Sequence, residues 1–146
     1  MFGGWAVKAK EGDWSLMKAH LLQNVCNNNQ DHLDYLLDWA AQMFCEPERK
    51  SGVCMVFRGD EGVGKSIFGV WLRNIVGKRN SCTIDKPEQV AGKFNGMLRY
   101  VIFALVEEAP FAGDPRNRNT LKHIITNHEL TYELKGLDAE DGENYT

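Results

Sequence analysis

The fold is decided by Val53-Cys54-Met55-Val56-Phe57-Arg58-Gly59-Asp60-Glu61-Gly62-Val63-Gly64-Lys65-Ser66. Its first six residues are mostly apolar and β-prone, the composition of a buried strand. Gly59, four further residues and Gly64-Lys65-Ser66 then fit the phosphate-binding pattern G-x-x-x-x-G-K-[ST]. The run Ile67-Phe68-Gly69-Val70-Trp71-Leu72 that follows reads as a buried helix. Strand, glycine loop and helix in that order predict a site for a nucleoside triphosphate.

Each residue type in the pattern answers a chemical need. Glycines adopt backbone geometries that a Cβ forbids, so successive N–H groups can turn inward around a polyphosphate. A helix beginning near Lys65 adds the partial positive charge of its N-terminus. The Lys65 ammonium reaches the terminal phosphates, and the Ser66 hydroxyl is placed to ligate Mg²⁺. The nucleotide-binding residues read from the pattern are Gly59, Asp60, Glu61, Gly62, Val63, Gly64, Lys65, Ser66 and Ile67. The plain alternative is a glycine-rich turn between a strand and a helix.

A chain of 146 residues is about one domain and can bury a core. With 43% hydrophobic and 25% charged residues it has the composition of a globular protein. A net charge of −3 argues against a generally basic nucleic-acid binder, so contact with DNA or RNA would need a local patch. Cys26, Cys45, Cys54 and Cys82 lack C-x-x-C spacing, which fits buried, reduced thiols in a cytoplasmic protein better than disulfides or a zinc site. His20, His32, His123 and His128 show no ligand spacing either. No apolar run reaches the length of a membrane span, and the N-terminus lacks the form of a signal peptide.

Two helices precede the loop in this reading. The first is capped by Asp13 and runs to about Val25; the second is capped by Asp31 and carries Leu33, Leu36, Leu37, Ala40, Ala41 and Phe44 at helical spacing. Residues 1–52 thus form a helical lead-in, and 53–146 an ATPase core. Beyond the loop helix, Ser81–Ile84 is expected as a short strand, with a small helix from Glu88 to Gly92 behind Pro87. Tyr100-Val101-Ile102-Phe103-Ala104-Leu105-Val106 reads as a strand buried on both faces of a parallel sheet, ending in Glu107-Glu108. Open α/β sheets bind ligands at that edge. Glu107 is accordingly read as a Mg²⁺ ligand and Glu108 as the carboxylate that polarises the attacking water. The competing reading is a strand that ends in two solvated acids. A helix from about Thr120 to Thr126 and an exposed strand over Leu130–Lys135 complete the chain.

With the loop and the Glu107-Glu108 strand in place, the chain resembles the superfamily 3 helicase domain of phage and plasmid primase-polymerases. The resemblance spans nearly the whole chain. It takes in Met17-Lys18-Ala19-His20-Leu21-Leu22, Asp34-Tyr35-Leu36-Leu37-Asp38-Trp39-Ala40-Ala41, Phe94-Asn95, Glu107-Glu108-Ala109, Leu121-Lys122-His123-Ile124-Ile125-Thr126 and Leu130-Thr131-Tyr132-Glu133-Leu134-Lys135-Gly136. The fold it implies is an α/β P-loop NTPase of AAA+-like type, with a mostly parallel sheet flanked by helices. In that family the last of these phrases is a β-hairpin that meets single-stranded DNA in the pore of a hexamer. The resemblance therefore makes Lys135 a DNA contact and Lys122 a weaker one; without it, both read as solvated residues. It further implies ATP and Mg²⁺ as cofactors, a homo-hexameric assembly, and a primase or polymerase domain upstream.

The family also has a sensor strand after an Asn144-Tyr145-Thr146-like phrase, and a downstream arginine that reaches a neighbouring subunit. Neither is in this sequence, so the chain reads as truncated before the sensor strand. Trp5, Trp14, Trp39 and Trp71 are taken as packing residues, and Arg116 and Arg118 as a solvated loop. Two other functions stay open at this point: an ATP-binding or assembly module that does not hydrolyse, and a small-molecule kinase built on the same loop.

Overall fold

A computed structural model describes residues 3–86, 89, 95–107 and 115–146. The lead-in begins with helix α1 (Ser15–His20), whose start is fixed by Asp13: its Oδ1 accepts the Ser15 N–H at 2.8 Å. The next turn, Leu21–Val25, widens into a π-helix and closes with the Cys26 N–H on the Leu21 carbonyl at 2.8 Å. Asn27 and Asn28 then take left-handed φ values of 50° and 58°, a conformation asparagine tolerates better than most residues. Helix α2 (Gln30–Cys45) is capped by Asn29, whose Oδ1 accepts the His32 N–H, and not by Asp31. Asp31 lies in the first turn instead, where a carboxylate favours the helix dipole.

Residues 53–58 depart from the sequence reading. They carry no strand pairing, and Val53 and Val56 are 41% and 69% exposed. Met55 and Phe57 still turn to the core, so the period of two survives without the ladder. A strand is defined by a backbone partner, and no described strand lies beside this segment. The Val53 carbonyl is taken by the Trp39 indole N–H at 3.2 Å.

Helix α3 (Lys65–Val76) buries Phe68, Gly69, Leu72 and Val76 and leaves Ile67 and Val70 half-exposed, so it is amphipathic rather than buried all round. It lies on β2 (Phe103–Val106), where a Cβ at Gly69 would overlap the Leu105 side chain. β1 (Ser81–Ile84) pairs with β2 in parallel, Ser81 opposite Phe103 and Ile84 opposite Val106. Bonds from the Ile102 N–H to the Asn80 carbonyl and from the Glu107 N–H to the Ile84 carbonyl, both 2.9 Å, extend this ladder. The predicted parallel sheet is thus two strands among the described residues.

The seven-residue apolar run is a strand only in its second half. Its start is a turn after the 3₁₀ segment Gly96–Leu98, where Tyr100 has φ 68° and is 60% exposed. The helix expected over 120–126 starts earlier, as α4 (Pro115–Thr126). β3 (Glu129–Tyr132) then pairs antiparallel with β4 (Glu140–Glu143) to give a hairpin.

Two apolar clusters hold these elements. One joins Leu21, Leu33 and Leu36 of the lead-in to Phe68 and Leu72 of α3 and Phe103 of β2, so it draws on both sides of residue 52. The other joins Ile84 and Leu98 to Ile124 of α4 and to Leu130 and Tyr132 of the hairpin. Cys26 is buried, but Cys45 and Cys54 are exposed, against the expectation of buried thiols. Cys54 alternates with Met55 and so faces away from the core. Among the described residues no helix is long and apolar enough to cross a membrane. The expected helix at 88–92 lies outside the described residues, apart from Gln89.

Candidate functional site

The loop from Gly59 to Ser66 ends in Gly64, the residue before α3, with φ 83° and ψ 22°. A side chain there would strain this left-handed geometry, and Gly62 is left-handed too, at φ 79°. The N-cap glycine supplies no side-chain cap to α3, and the first turn of the helix holds no acidic residue. The amide N–H groups at this helix start therefore keep their capacity for an outside acceptor, next to the positive end of the dipole. Asp60, Glu61, Gly62 and Val63 are exposed, as are Ser66 and Ile67. The Lys65 ammonium is folded back, donating to the Gly59 carbonyl at 2.8 Å and to the Asp60 carbonyl.

The element that carries Glu107 packs on the loop helix: Leu105 of β2 lies against Gly69 of α3. Four residues, 77–80, join α3 to β1. At that junction the Asn80 amide donates to the Val76 carbonyl at 3.2 Å, while the Asn80 carbonyl accepts from the Ile102 and Phe103 N–H groups. The end of α3 thus meets the beginnings of both strands. Glu107 follows β2 directly, with an exposed side chain. Glu108 lies outside the described residues.

Lys122 and Lys135 belong to elements built on the second cluster. Lys122 is exposed on α4, and Lys135 is exposed in the hairpin loop. The Leu137 N–H closes a turn on the Leu134 carbonyl at 3.2 Å, with Gly136 at φ 82° in the position where a type II turn needs glycine. Acidic β4 is largely answered within the protein: Glu140 pairs with Arg99 at 2.6 Å, and Asp141 accepts from the Thr131 hydroxyl at 2.6 Å.

One residue at the loop was not identified from the sequence as part of a site. His20, at the end of α1, lies against Gly64, where a Cβ would come within 2.6 Å of its Cε1. Its Nε2 is 3.1 Å from the Gly64 carbonyl. No spacing rule connects positions that are 44 residues apart, and the one sequence signal at His20 is its place in the phrase Met17–Leu22.

Among curated proteins none matches the chain. Solved structures of the apo NrS-1 C terminal region share its fold. Two of them superpose with a TM-score of 0.80 at 22% identity, covering 95% of this chain and 33% of theirs. A third gives a TM-score of 0.76 at 19% identity over 95% of this chain and 32% of its own. The chain therefore spans about a third of the length of these relatives. At such identity the likeness is one of fold, a mixed α/β arrangement with a parallel strand pair. Residues 57–146 match the model of a family described as a family of unknown function, DUF5906, and the chain belongs to that family.

Proposed function

We propose that this chain is the ATP-binding helicase-type domain of a phage or plasmid replication protein, hydrolysing Mg-ATP to move along single-stranded DNA. The observation that carries the reading is the start of α3, where a left-handed Gly64 precedes the helix and the Lys65 ammonium lies on the loop carbonyl of Gly59. A polyphosphate fits there because the N-cap glycine offers no side-chain cap and no first-turn carboxylate repels it. On binding, Lys65 would exchange the Gly59 and Asp60 carbonyls for phosphate oxygens, while the amides of 62–66 hold the remaining oxygens. The Ser66 hydroxyl and Glu107 carboxylate are hard oxygen donors of the kind Mg²⁺ takes. Held by Ser66 and Glu107, Mg²⁺ would supply neutralisation of the charge that develops on the phosphates during transfer. Glu108 would orient and polarise the attacking water.

Lys135 in the hairpin turn, with Lys122 as a weaker contact, would meet the phosphates of the DNA strand. A homo-hexamer and an upstream primase or polymerase domain complete this reading. That the chain aligns with a third of a longer structure accords with a module of a larger protein.

The test is titration with Mg-ATP, followed by turnover measured with and without single-stranded DNA. We expect binding by the wild type, hydrolysis stimulated by DNA, and no binding by Lys65→Ala. Normal ATP binding by that variant would remove the site. Binding without any turnover would reduce the function to a nucleotide-gated module.

A further inference from the structure

We propose that His20 is a positioning residue for the phosphate loop, the point through which the N-terminal helices set the loop's last peptide. The inference rests on the nucleotide reading and adds a residue to it. A carbonyl oxygen can only accept, so the His20 Nε2 that lies 3.1 Å from the Gly64 carbonyl carries the proton. The ring's other nitrogen, Nδ1, accepts from the Asn24 amide at 2.9 Å. Both nitrogens are thereby used, and the ring is held in one orientation.

The effect on the loop follows from peptide geometry. In a planar trans peptide the C=O and the following N–H point in opposite directions. The Gly64 carbonyl is held by two donors, His20 Nε2 and the Ile67 N–H at 3.2 Å. The Lys65 N–H is therefore aimed the other way, out from the start of α3 toward the loop. Gly64 is left-handed and tightly approached by the ring, so the peptide has little room to rotate. The support behind His20 is rigid as well. Leu21 beside it is fully buried, and the π turn that begins there brings Asn24 under the ring. A filler of space would need none of these hydrogen bonds.

Three variants of the whole chain separate positioning from filling. His20→Gln keeps an amide donor near the place of Nε2, His20→Phe keeps the ring's bulk without a donor, and His20→Ala keeps neither. Mg-ATP affinity is measured by titration, and amide hydrogen exchange over residues 62–67 is followed without nucleotide. We expect His20→Ala and His20→Phe to weaken Mg-ATP about fivefold, the worth of one ordinary hydrogen bond, and to speed exchange over 62–67. His20→Gln should stay within about twofold of the wild type in both measurements. A His20→Phe protein indistinguishable from the wild type, or a His20→Gln protein no better than His20→Ala, overturns the role. A wild-type chain that binds no nucleotide overturns the nucleotide reading itself, and the exchange data then show whether His20 holds the loop at all.

Discussion

Asn144 is the small buried clip that fastens the hairpin to α4, and replacing it with alanine should be felt by the whole fold. It is 3% exposed, and its Nδ2 donates to the Ile124 carbonyl at 2.7 Å and the Asn127 carbonyl at 2.8 Å. Ile124 is in the last turn of α4, where carbonyls have no helical partner. The Asn144 N–H also meets the His128 carbonyl, a backbone bond that alanine keeps. Asn144→Ala loses three side-chain bonds, the two from Nδ2 and the one its Oδ1 accepts from the Thr146 N–H at 3.2 Å, each worth roughly 0.5–1 kcal/mol, and leaves the Asn127 carbonyl without this donor at a further cost of about 1–2 kcal/mol. The Ile124 carbonyl keeps a second donor, the Lys50 ammonium. The total is about 2.5–5 kcal/mol, a fall in Tm of roughly 8–16 °C for a domain of this size. Urea unfolding followed by circular dichroism measures it. Removing Lys50 as well should cost more than the sum of the single changes, since only the pair leaves Ile124 unserved. A loss under about 0.5 kcal/mol for Asn144→Ala would refute the clip, because surface positions alone behave that way.

Two further outcomes are expected. Burial lowers the Lys50 ammonium to about 8 from an unfolded value of 10.5, so between these pH values the unfolded chain binds more protons and the Lys50 contribution to stability rises with pH. The stability of the wild type relative to Lys50→Met, from paired urea melts at about pH 7 and about pH 9.5, should therefore increase; a constant difference contradicts the burial. Lys135→Ala should leave the melting curve within about 0.5 kcal/mol of the wild type, because the side chain is exposed in a turn. The same change should weaken single-stranded DNA binding and flatten its salt dependence by about 0.7 for each phosphate that the lysine neutralises. An unchanged salt slope would take Lys135 out of the DNA interface.

What could be read from the sequence was what neighbouring residues determine among themselves. β1 spans Ser81–Ile84 as expected, and α3 begins at Lys65 after a left-handed glycine, because strand composition and loop glycines act over a few positions. The misses depend on distant partners. Residues 53–58 have the composition of a strand, yet composition cannot supply the neighbouring backbone that a ladder requires. β4, Glu140 to Glu143, is three acids and a glycine, a composition poor in strand formers. It becomes a strand because β3 pairs with it and because Arg99 and Thr131 answer two of its carboxylates. Tyr100 sits in an apolar run but adopts φ 68°, with the Arg99 guanidinium 5.1 Å from its ring centre.

Gly64 shows both kinds of information at a single position. The loop pattern already demands glycine there, since the chain must turn left-handed before α3 begins. The structure adds a second demand, the close approach of the His20 ring, which no local pattern carries. A local rule and a long-range packing constraint therefore require the same residue. An alanine at 64 would meet the backbone strain even if His20 were removed, and would meet the ring only while His20 is present. Comparing Gly64→Ala in the wild-type and His20→Ala backgrounds separates the two. About 1–2 kcal/mol of strain should persist in both, and an extra 0.5–1.5 kcal/mol should appear only where the imidazole remains. Equal costs in the two backgrounds would mean that the ring yields freely, and that the helices before the loop do not constrain it through His20.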